Sequence, residues 1–314
     1  MTEPEAASRP GSSDARRRVL TTTTGTHTGA FTPLDWGLFL SIGGIWGSSF
    51  LLIAIGLDAF EPGLVTWLRI LLGALALWAV PAARQPLHRE DRARLVTLSV
   101  LWVAIPFTLF PLAEQRISSG LTGLINGALP IFAVAVSSLM LRRVPGRAQT
   151  LGLFVGFSGI VAIALPSLGA GSSEALGVVE ALVATVCYGF AVNIAAPLTQ
   201  RYGSLPVMAR MLALGAAWTA PLGLLALPGS SFAWPSTLAV AGLGIVGTGV
   251  AFVMMGHLVA RVGSRASFAI YLIPVVALCL GAVFRDEQVH LLSIVGVGLV
   301  IAGALLASRR ERTA

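Results

Sequence analysis

The chain contains no lysine and little charge of either sign. All 21 basic residues are arginine, acidic residues number 14, and charged residues make up 11% of the 314. Soluble domains average about 25% charged residues, because a soluble surface must be covered with polar groups. So little charge argues strongly against a soluble globular enzyme. A hydrophobic content of 55% and a mean hydropathy of +0.84 exclude a disordered chain and indicate a membrane protein.

Several chemical motifs are also absent. Without lysine the chain has no P-loop and no residue that forms a Schiff base. Cys187 and Cys279 both lie in apolar stretches, so they predict neither a disulfide framework nor a cysteine-rich metal site. HExxH and GxSxG do not occur, and the GxGxxG pattern that starts at Gly242 follows no strand. We therefore expect no cofactor, no metal and no nucleic-acid partner.

Long apolar segments dominate what is present. Residues 1–35 are rich in Ser, Thr, Gly and Pro without an apolar core, so we expect a disordered cytoplasmic tail and no cleaved signal. Ten apolar segments follow, each long enough to cross a hydrocarbon core of about 30 Å. They are 36–56, 62–82, 95–113, 117–141, 147–166, 175–197, 204–227, 236–257, 263–284 and 289–308. This pattern predicts an all-α integral membrane protein with ten transmembrane helices.

The arginines orient these helices. With a cytoplasmic N-terminus, 17 of the 21 arginines fall in the tails and inside loops. Arg116 and Arg285 fall in outside loops, and Arg69 and Arg210 fall within helices. Because arginine accumulates on the cytoplasmic side of membrane proteins, both termini are predicted to be cytoplasmic, with residues 309–314 as a second tail.

An internal repeat divides the chain. A shift of 144 residues superposes Pro62 on Pro206, Pro130 on Pro274, Gly152 on Gly296 and Gly159 on Gly303 without gaps. Residues 36–166 then form a first five-helix repeat and residues 175–308 a second. Because five is odd, the second repeat is inverted in the membrane, a plan that recurs among secondary transporters.

Short motifs occur in the same order in both halves. In the first half they are Trp46-Gly47-Ser48-Ser49-Phe50, Pro62, Arg69, Ser119 to Pro130, Gly152 and Gly159. In the second half they are Tyr188-Gly189, Pro274, Arg285 to Glu287, Gly296 and Gly303. Over about residues 36–308 the chain thus resembles the EamA-type transporters of the drug/metabolite transporter superfamily. One departure is Arg143, which stands in the first half where Glu287, at an often acidic position, stands in the second.

The resemblance implies a fold of five plus five helices and proton- or gradient-coupled movement of small metabolites, commonly outward. We therefore expect a secondary active transporter in the bacterial plasma (inner) membrane, as a monomer or homodimer among lipids. It would export amino acids, related compounds or drugs by alternating access, with protons as the coupling ion. An uncoupled facilitator or channel is the alternative. A membrane-embedded enzyme is disfavoured, because no cluster of catalytic groups is visible at one depth.

Two ionisable residues within helices are candidates for mechanism, because charge inside a bilayer is costly. Glu180 lies about 8 Å below the outer end of the predicted segment 175–197. Arg69 lies about 10 Å below the outer end of the predicted segment 62–82. Equal depth would allow an ion pair across a central cavity, with Glu180 as the proton-coupling residue and Arg69 in the substrate site. A structural role for both is the alternative. For Glu114 and Arg116, at the outer end of helix 3, we expect interface anchoring.

Two prolines mark further candidates. Asn126 precedes Pro130 by four residues and Tyr271 precedes Pro274 by three, in repeat-related helices. Proline frees the carbonyl four residues back from its helical hydrogen bond, and such irregularity is tolerated where it lines protein or water. We therefore place Asn126 and Tyr271 in the substrate site.

Aromatic and polar residues complete the predicted site. Trp46 and Tyr188 occupy near-equivalent positions of the two repeats, each followed by glycine, and their rings would form walls of a cavity. Ser49 lies one helical turn after Trp46 and shares its face. Asn193 lies further inward on helix 6, on a different face from Glu180. Helix–helix packing is the alternative role for each of these residues.

Overall fold

The computed structural model describes residues 32–140, 146–168, 171–262 and 269–307, and there the chain is helical. Short 3-10 and π turns interrupt the helices, and the described ranges contain no strand. The prediction of an all-α chain is confirmed for these ranges. Nearly all of the predicted N-terminal tail and all of the tail at 309–314 lie outside the described residues.

The helices of the first half follow one another with short connections. They are α1 (Pro33–Leu57), α2 (Pro62–Trp78), α3 (Arg92–Leu98), α4 (Ile105–Glu114), α5 (Ser119–Asn126), α6 (Leu129–Met140) and α7 (Arg147–Leu168). A π segment, Ser99–Ala104, joins α3 to α4 in one continuous rod.

The second half is also helical, with six helices in the described residues. Its helices are α8 (Ser172–Tyr202), α9 (Ser204–Ala226), α10 (Trp234–Gly244), α11 (Ala251–Val262), α12 (Leu272–Arg285) and α13 (Leu291–Ala307). A π segment again joins two of them, here Ile245–Val250 between α10 and α11. Gly203 separates α8 from α9 with φ of 79°, a conformation that glycine adopts without strain.

Several stretches have the length and composition of a membrane span, as a multi-pass membrane protein requires. Seven meet both conditions within the described residues: Pro33–Leu57, Arg89–Glu114, Ser119–Met140, Arg147–Pro166, Ser172–Tyr202, Ser204–Ala226 and Trp234–Leu258. Shorter apolar helices cover Pro62–Trp78, Ala269–Arg285 and Leu291–Leu306. The number of ten crossings and the side of the termini stay predictions.

The irregularity expected next to the prolines is present. A turn at Gly127 and Ala128 separates α5 from α6 immediately before Pro130, so the rod that contains Asn126 is broken at that residue. In the second half α12 begins only two residues before Pro274. Proline cannot donate a backbone hydrogen bond, which accounts for both interruptions.

Glycines bring helices into backbone contact. A Cβ atom added to Gly303 of α13 would meet the Gly152 carbonyl oxygen of α7 at 2.6 Å, and one added to Gly159 would meet the Gly296 oxygen at 2.6 Å. Gly43 and Gly47 of α1 lie equally close to α12. These glycines therefore act as packing positions, as small residues do between membrane helices.

Polar contacts join the helices at both ends of the bundle. At one end the two Arg285 amino groups bind the two carboxylate oxygens of Asp58 at 2.8 and 2.9 Å. The same end contains Glu287, and we call it the Glu287 end. At the other end Arg201 pairs with Asp91 at 2.9 Å and Arg261 with Asp35 at 2.6 Å. We call this the Asp91 end.

Candidate substrate cavity

A cavity of about 520 Å³ lies between the two halves of the bundle. Its lining residues are Trp46, Ser49, Phe50, Ile53, Arg69, Trp102, Phe107, Phe110, Asn126, Leu129, Tyr188, Val192, Ala195, Ala196, Thr199, Gln200, Gly203, Ser204, Met208, Gly247, Phe252, Met255, Gly256, Ile270 and Ile273. Toward the Asp91 end the lining includes Gln200 and Gly203, which are exposed. The cavity therefore reaches the protein surface at that end.

Arg69 is the charged residue of this lining and is itself 7% exposed. Its guanidinium carbon lies 3.8 Å from the ring centre of Phe107, a cation–π contact. Its Nε donates to the Thr248 hydroxyl at 3.3 Å, while its two terminal amino groups have no acceptor among the described residues. A guanidinium with free amino groups is suited to bind a carboxylate with two parallel hydrogen bonds.

The π segment of the second half positions Thr248. The Thr248 hydroxyl donates to the Leu243 carbonyl five residues back at 3.1 Å, in the wider turn of that segment. Gly244 allows α10 to approach α2, since a Cβ at this position would lie 2.9 Å from the Arg69 carbonyl oxygen. Short π segments are frequent at functional sites. Two glycines of the GxGxxG pattern thus have structural roles. Gly244 allows close packing of two helices, and Gly247 lines the cavity.

Aromatic rings form much of the cavity wall. Trp46 and Trp102 each contact Phe252 edge to face, with ring centres 6.1 Å apart in both pairs. Tyr188 contacts Phe110 with ring centres at 5.7 Å. The wall is therefore rigid and mostly apolar, as in pockets that accept small organic molecules.

Asn126 and Ser49 add polar atoms. Asn126 is 6% exposed, and its side-chain oxygen has no hydrogen-bond partner among the described residues. An unpaired buried acceptor is costly, so this oxygen is available to a donor on a bound molecule. The Ser49 hydroxyl donates to the Ile45 carbonyl of its own helix at 3.1 Å.

The cavity is closed toward the Glu287 end. Phe50 and Phe110, 4% and 2% exposed, meet edge to face there with ring centres 5.5 Å apart. Beyond them Glu287 joins the second half to the start of α5. Its carboxylate accepts hydrogen bonds from the Ser119 amide at 2.8 Å, the Ser119 hydroxyl at 2.7 Å and the Gly120 amide at 2.8 Å. We call these contacts the Glu287 clamp.

Two of the predicted substrate residues lie outside the lining. The Asn193 amide nitrogen donates to the Gly189 carbonyl at 2.8 Å and to the Ala133 carbonyl of α6 at 3.0 Å, so it joins α8 to α6. Tyr271 packs against buried apolar residues beside Ile270, which does line the cavity. Trp46, Ser49, Arg69, Asn126 and Tyr188 line one cavity, and their role in substrate binding stays a prediction.

The ion pair that equal depth allowed between Arg69 and Glu180 does not form. Glu180 instead accepts a hydrogen bond from the Arg116 side chain at 3.1 Å, and Arg116 also donates to the Leu112 carbonyl at 2.7 Å. The physical reason is packing: α4 lies directly against α8, which brings Arg116 to Glu180, whereas Arg69 of α2 lines the cavity. A proton-coupling role for Glu180 stays a prediction.

Part of the lining is absent from the set of residues predicted from the sequence. Trp102, Phe107 and Phe252 all line the cavity. Phe107 and Thr248, which lies behind the lining, hold Arg69 in place. Their position along each apolar segment could be read from the sequence. The face of the helix on which they lie could not. The π segments rotate the residues that follow them, and no sequence signal marked those segments.

Comparison with known proteins assigns this architecture to a family. The sequence profile of the EamA-like transporter family matches residues 36–165 and again residues 175–309. Together the two matches cover most of the chain.

Individual relatives agree with this match. The chain is 30% identical over 283 residues to a probable terminal-alkyne amino-acid exporter of Streptantibioticus cattleyicolor, covering 88% of this chain and 93% of that protein. It is 26% identical over 275 residues to the uncharacterized inner membrane transporter YedA of Escherichia coli, covering 84% and 87%. It is 27% identical over 272 residues to the uncharacterized transporter YdfC of Bacillus subtilis, covering 83% and 86%.

A solved structure shares the fold. One crystal structure superposes with a TM-score of 0.59 over 89% of this chain and 99% of that chain, at 20% sequence identity. At this level of identity the likeness concerns the fold alone.

Proposed function

Because the chain belongs to the EamA-like transporter family, we propose that it exports small α-amino acids with apolar side chains by alternating access. Its relatives are named as transporters, and its helices have the length and composition of a multi-pass membrane protein. Both findings indicate a membrane transporter for small molecules rather than an enzyme. The observation that carries the finer proposal is the Arg69 guanidinium in the wall of an otherwise mostly apolar cavity.

The cavity has complementary groups for each part of an amino acid. The free amino groups of Arg69 would bind the carboxylate, and the unpaired oxygen of Asn126 would accept a hydrogen bond from the ammonium group. The rings of Trp46, Trp102 and Phe252 would surround an apolar side chain. The relative from Streptantibioticus cattleyicolor is named as an exporter of terminal-alkyne amino acids, which fits this chemistry.

The contacts between helices support two inverted repeats. α1 packs on α10 and α12, and its repeat counterpart α8 packs on α4 and α6. Helices α2 and α9, which are also counterparts, pack on each other, as do α7 and α13. An approximate twofold axis in the membrane plane would produce these pairings. We propose ten crossings with both termini in the cytoplasm.

With this orientation the Asp91 end is cytoplasmic, and the cavity opens to the cytoplasm while the Glu287 end is closed. A substrate would enter from the cytoplasm, and exchange of open and closed ends would release it outside. We propose coupling to protons across a bacterial inner membrane, which is the location named for YedA.

Uptake of L-propargylglycine, an alkyne-bearing amino acid, into inside-out bacterial membrane vesicles tests the proposal. Gly247 lines the cavity, and a Cβ there would have its closest contact, the Ser49 hydroxyl, at 3.3 Å. Gly247→Phe should therefore occupy the site and abolish uptake. Gly242→Phe is the matched control on α10, because a Cβ at Gly242 meets nothing within 4 Å.

Wild type and Gly242→Phe should accumulate the amino acid, and a proton uncoupler should abolish the accumulation. Accumulation that survives the uncoupler would contradict proton coupling, and equilibration without accumulation would indicate a facilitator. If Gly247→Phe transports as well as Gly242→Phe, the cavity is not the route. If no variant moves this amino acid or L-norvaline, the proposed substrate class is wrong.

A further inference from the structure

Glu114, the last residue of α4, has a buried carboxylate. Both of its oxygens are buried, and neither has a hydrogen-bond partner among the described residues. This distinguishes it from Glu180, whose carboxylate is held by Arg116 at 3.1 Å.

None of the charged groups around Glu114 within the described residues hydrogen bonds to it. Electrostatic interactions reach it from Arg69, Arg285 and Glu287. Arg285 binds Asp58 through both of its amino groups, and the Glu287 carboxylate accepts three hydrogen bonds in the Glu287 clamp.

Arg69, the third of these groups, makes no hydrogen bond to Glu114. Arg69 stacks on Phe107 and donates from Nε to Thr248. On the neighbouring helix α8 the nearest acid, Glu180, is paired with Arg116. No cation among the described residues is therefore placed to neutralise Glu114 through direct contact.

A buried carboxylate without a partner is strongly disfavoured in its ionised form, whereas the neutral acid loses much less on leaving water. The conformation that is closed at the Glu287 end therefore requires a proton on one Glu114 oxygen. Opening of that end would expose the group to water and allow the O–H bond to break, with release of the proton and no other chemical change.

We propose that Glu114 is a proton-binding site whose protonation is linked to closure of the Glu287 end, an inference that deepens the proposed transport function and rests on it. Binding of the proton on the outer side favours closure there and exposes the cavity to the cytoplasm. The same linkage requires that closure raises the affinity for the proton, because coupling between two equilibria is reciprocal.

Infrared titration of the purified protein tests this site without any substrate. In wild type at neutral pH we expect the carbonyl band of a protonated carboxylic acid that is shielded from water. Glu114→Gln should abolish that band, whereas the control variant Glu61→Gln, which changes an exposed carboxylate at the same end of the bundle, should retain it. A band that persists in Glu114→Gln, or its absence from wild type, would overturn the proposal.

A second readout follows the conformation. Leu121 lines a recess of about 210 Å³ at the Glu287 end. In a protein from which Cys187 and Cys279 have been removed, labelling of Leu121→Cys reports access of a thiol reagent from that end. The labelling rate of this cysteine, taken relative to that of the same cysteine in the denatured protein at each pH, should rise with pH in the parent protein and in the Glu61→Gln variant. Glu114→Gln should label slowly at every pH, because its neutral side chain imitates the protonated acid.

Unchanged pH dependence in Glu114→Gln would refute the linkage even if amino-acid export is confirmed. Conversely, a titrating Glu114 in a protein that moves no amino acid would leave the proton site standing and remove only the proposed substrate. The two failures are therefore distinguishable.

Discussion

Replacing Arg69 by glutamine should weaken recognition of the substrate carboxylate and little else. Glutamine keeps a side chain that can hydrogen bond to Thr248, but it removes the positive charge from the cavity. Arg69→Lys is the matched variant, because it keeps the charge but loses the planar group that stacks on Phe107 at 3.8 Å.

The size of the effect follows from the contacts that are free. The two terminal amino groups of Arg69 have no acceptor among the described residues, so both are available to a carboxylate. A hydrogen bond to a charged group contributes about 1.5–3 kcal/mol, and about 1.4 kcal/mol corresponds to a tenfold change in affinity. Loss of one such bond should therefore weaken binding roughly 10- to 150-fold, and loss of both should weaken it further.

The assay compares L-propargylglycine with its carboxamide, which lacks the negative charge. Competition for uptake into inside-out vesicles gives an apparent affinity for each compound in each variant. In wild type the acid should bind better than the amide. In Arg69→Gln the advantage of the acid should disappear, while the affinity for the amide changes little. Arg69→Lys should fall between the two proteins.

Equal losses for the acid and the amide would refute the assignment, because they would show that Arg69 supports the cavity without contacting the carboxylate. An unchanged preference for the acid would refute it more directly. Protein yield and thermal stability of the variants serve as the control for folding, since Arg69 also holds α2 to the π segment through Thr248.

Two further predictions concern packing and closure. Gly303→Val should lower the free energy of unfolding by about 1–3 kcal/mol, because the valine side chain would overlap the backbone of α7. Gly298→Val should be tolerated, because a Cβ at that position meets no atom within 4 Å. Equal melting temperatures would contradict the backbone contact. Glu287→Gln should weaken the charged hydrogen bonds to Ser119 and accelerate deuterium exchange of the Ser119 amide by about tenfold or more. Gln288→Ala, which changes an exposed neighbour, should leave the exchange rate of the Ser119 amide unchanged. Equal exchange in both variants would refute the clamp.

The all-helical fold and much of the site could be predicted from the sequence. The position of a residue within an apolar segment gives its expected depth in the membrane. Arg69 and Asn126 are polar residues far from the predicted ends of apolar segments, and both line the cavity. The turn next to Pro130 follows from a missing backbone donor, which is a local property. Trp46 and Tyr188 were found through the repeat, since equivalent positions face the same interface.

The sequence did not reveal which face of a helix points into the cavity. Asn193 has a suitable depth but faces α6, where its amide is already satisfied. Glu180 has the depth of Arg69 but lies against Arg116. Glu114 was assigned to interface anchoring because it ends a helix, yet its carboxylate is enclosed by neighbouring helices that only the tertiary structure reveals.

The two ends of the bundle are unequal, and the sequence of the repeats accounts for the difference. The shift of 144 residues that pairs the prolines also pairs Glu287 with Arg143, which lies outside the described residues. A guanidinium donates hydrogen bonds and cannot accept them from backbone amides, so position 143 cannot form a counterpart of the Glu287 clamp. In the arrangement of inverted repeats proposed above, an acidic clamp at the Glu287 end and an arginine at position 143 would give the two ends closures of different strength. Such an asymmetry would favour the conformation that the structure adopts, closed at the Glu287 end and open at the Asp91 end, and the proposed protonation of Glu114 would then act at the Glu287 end alone.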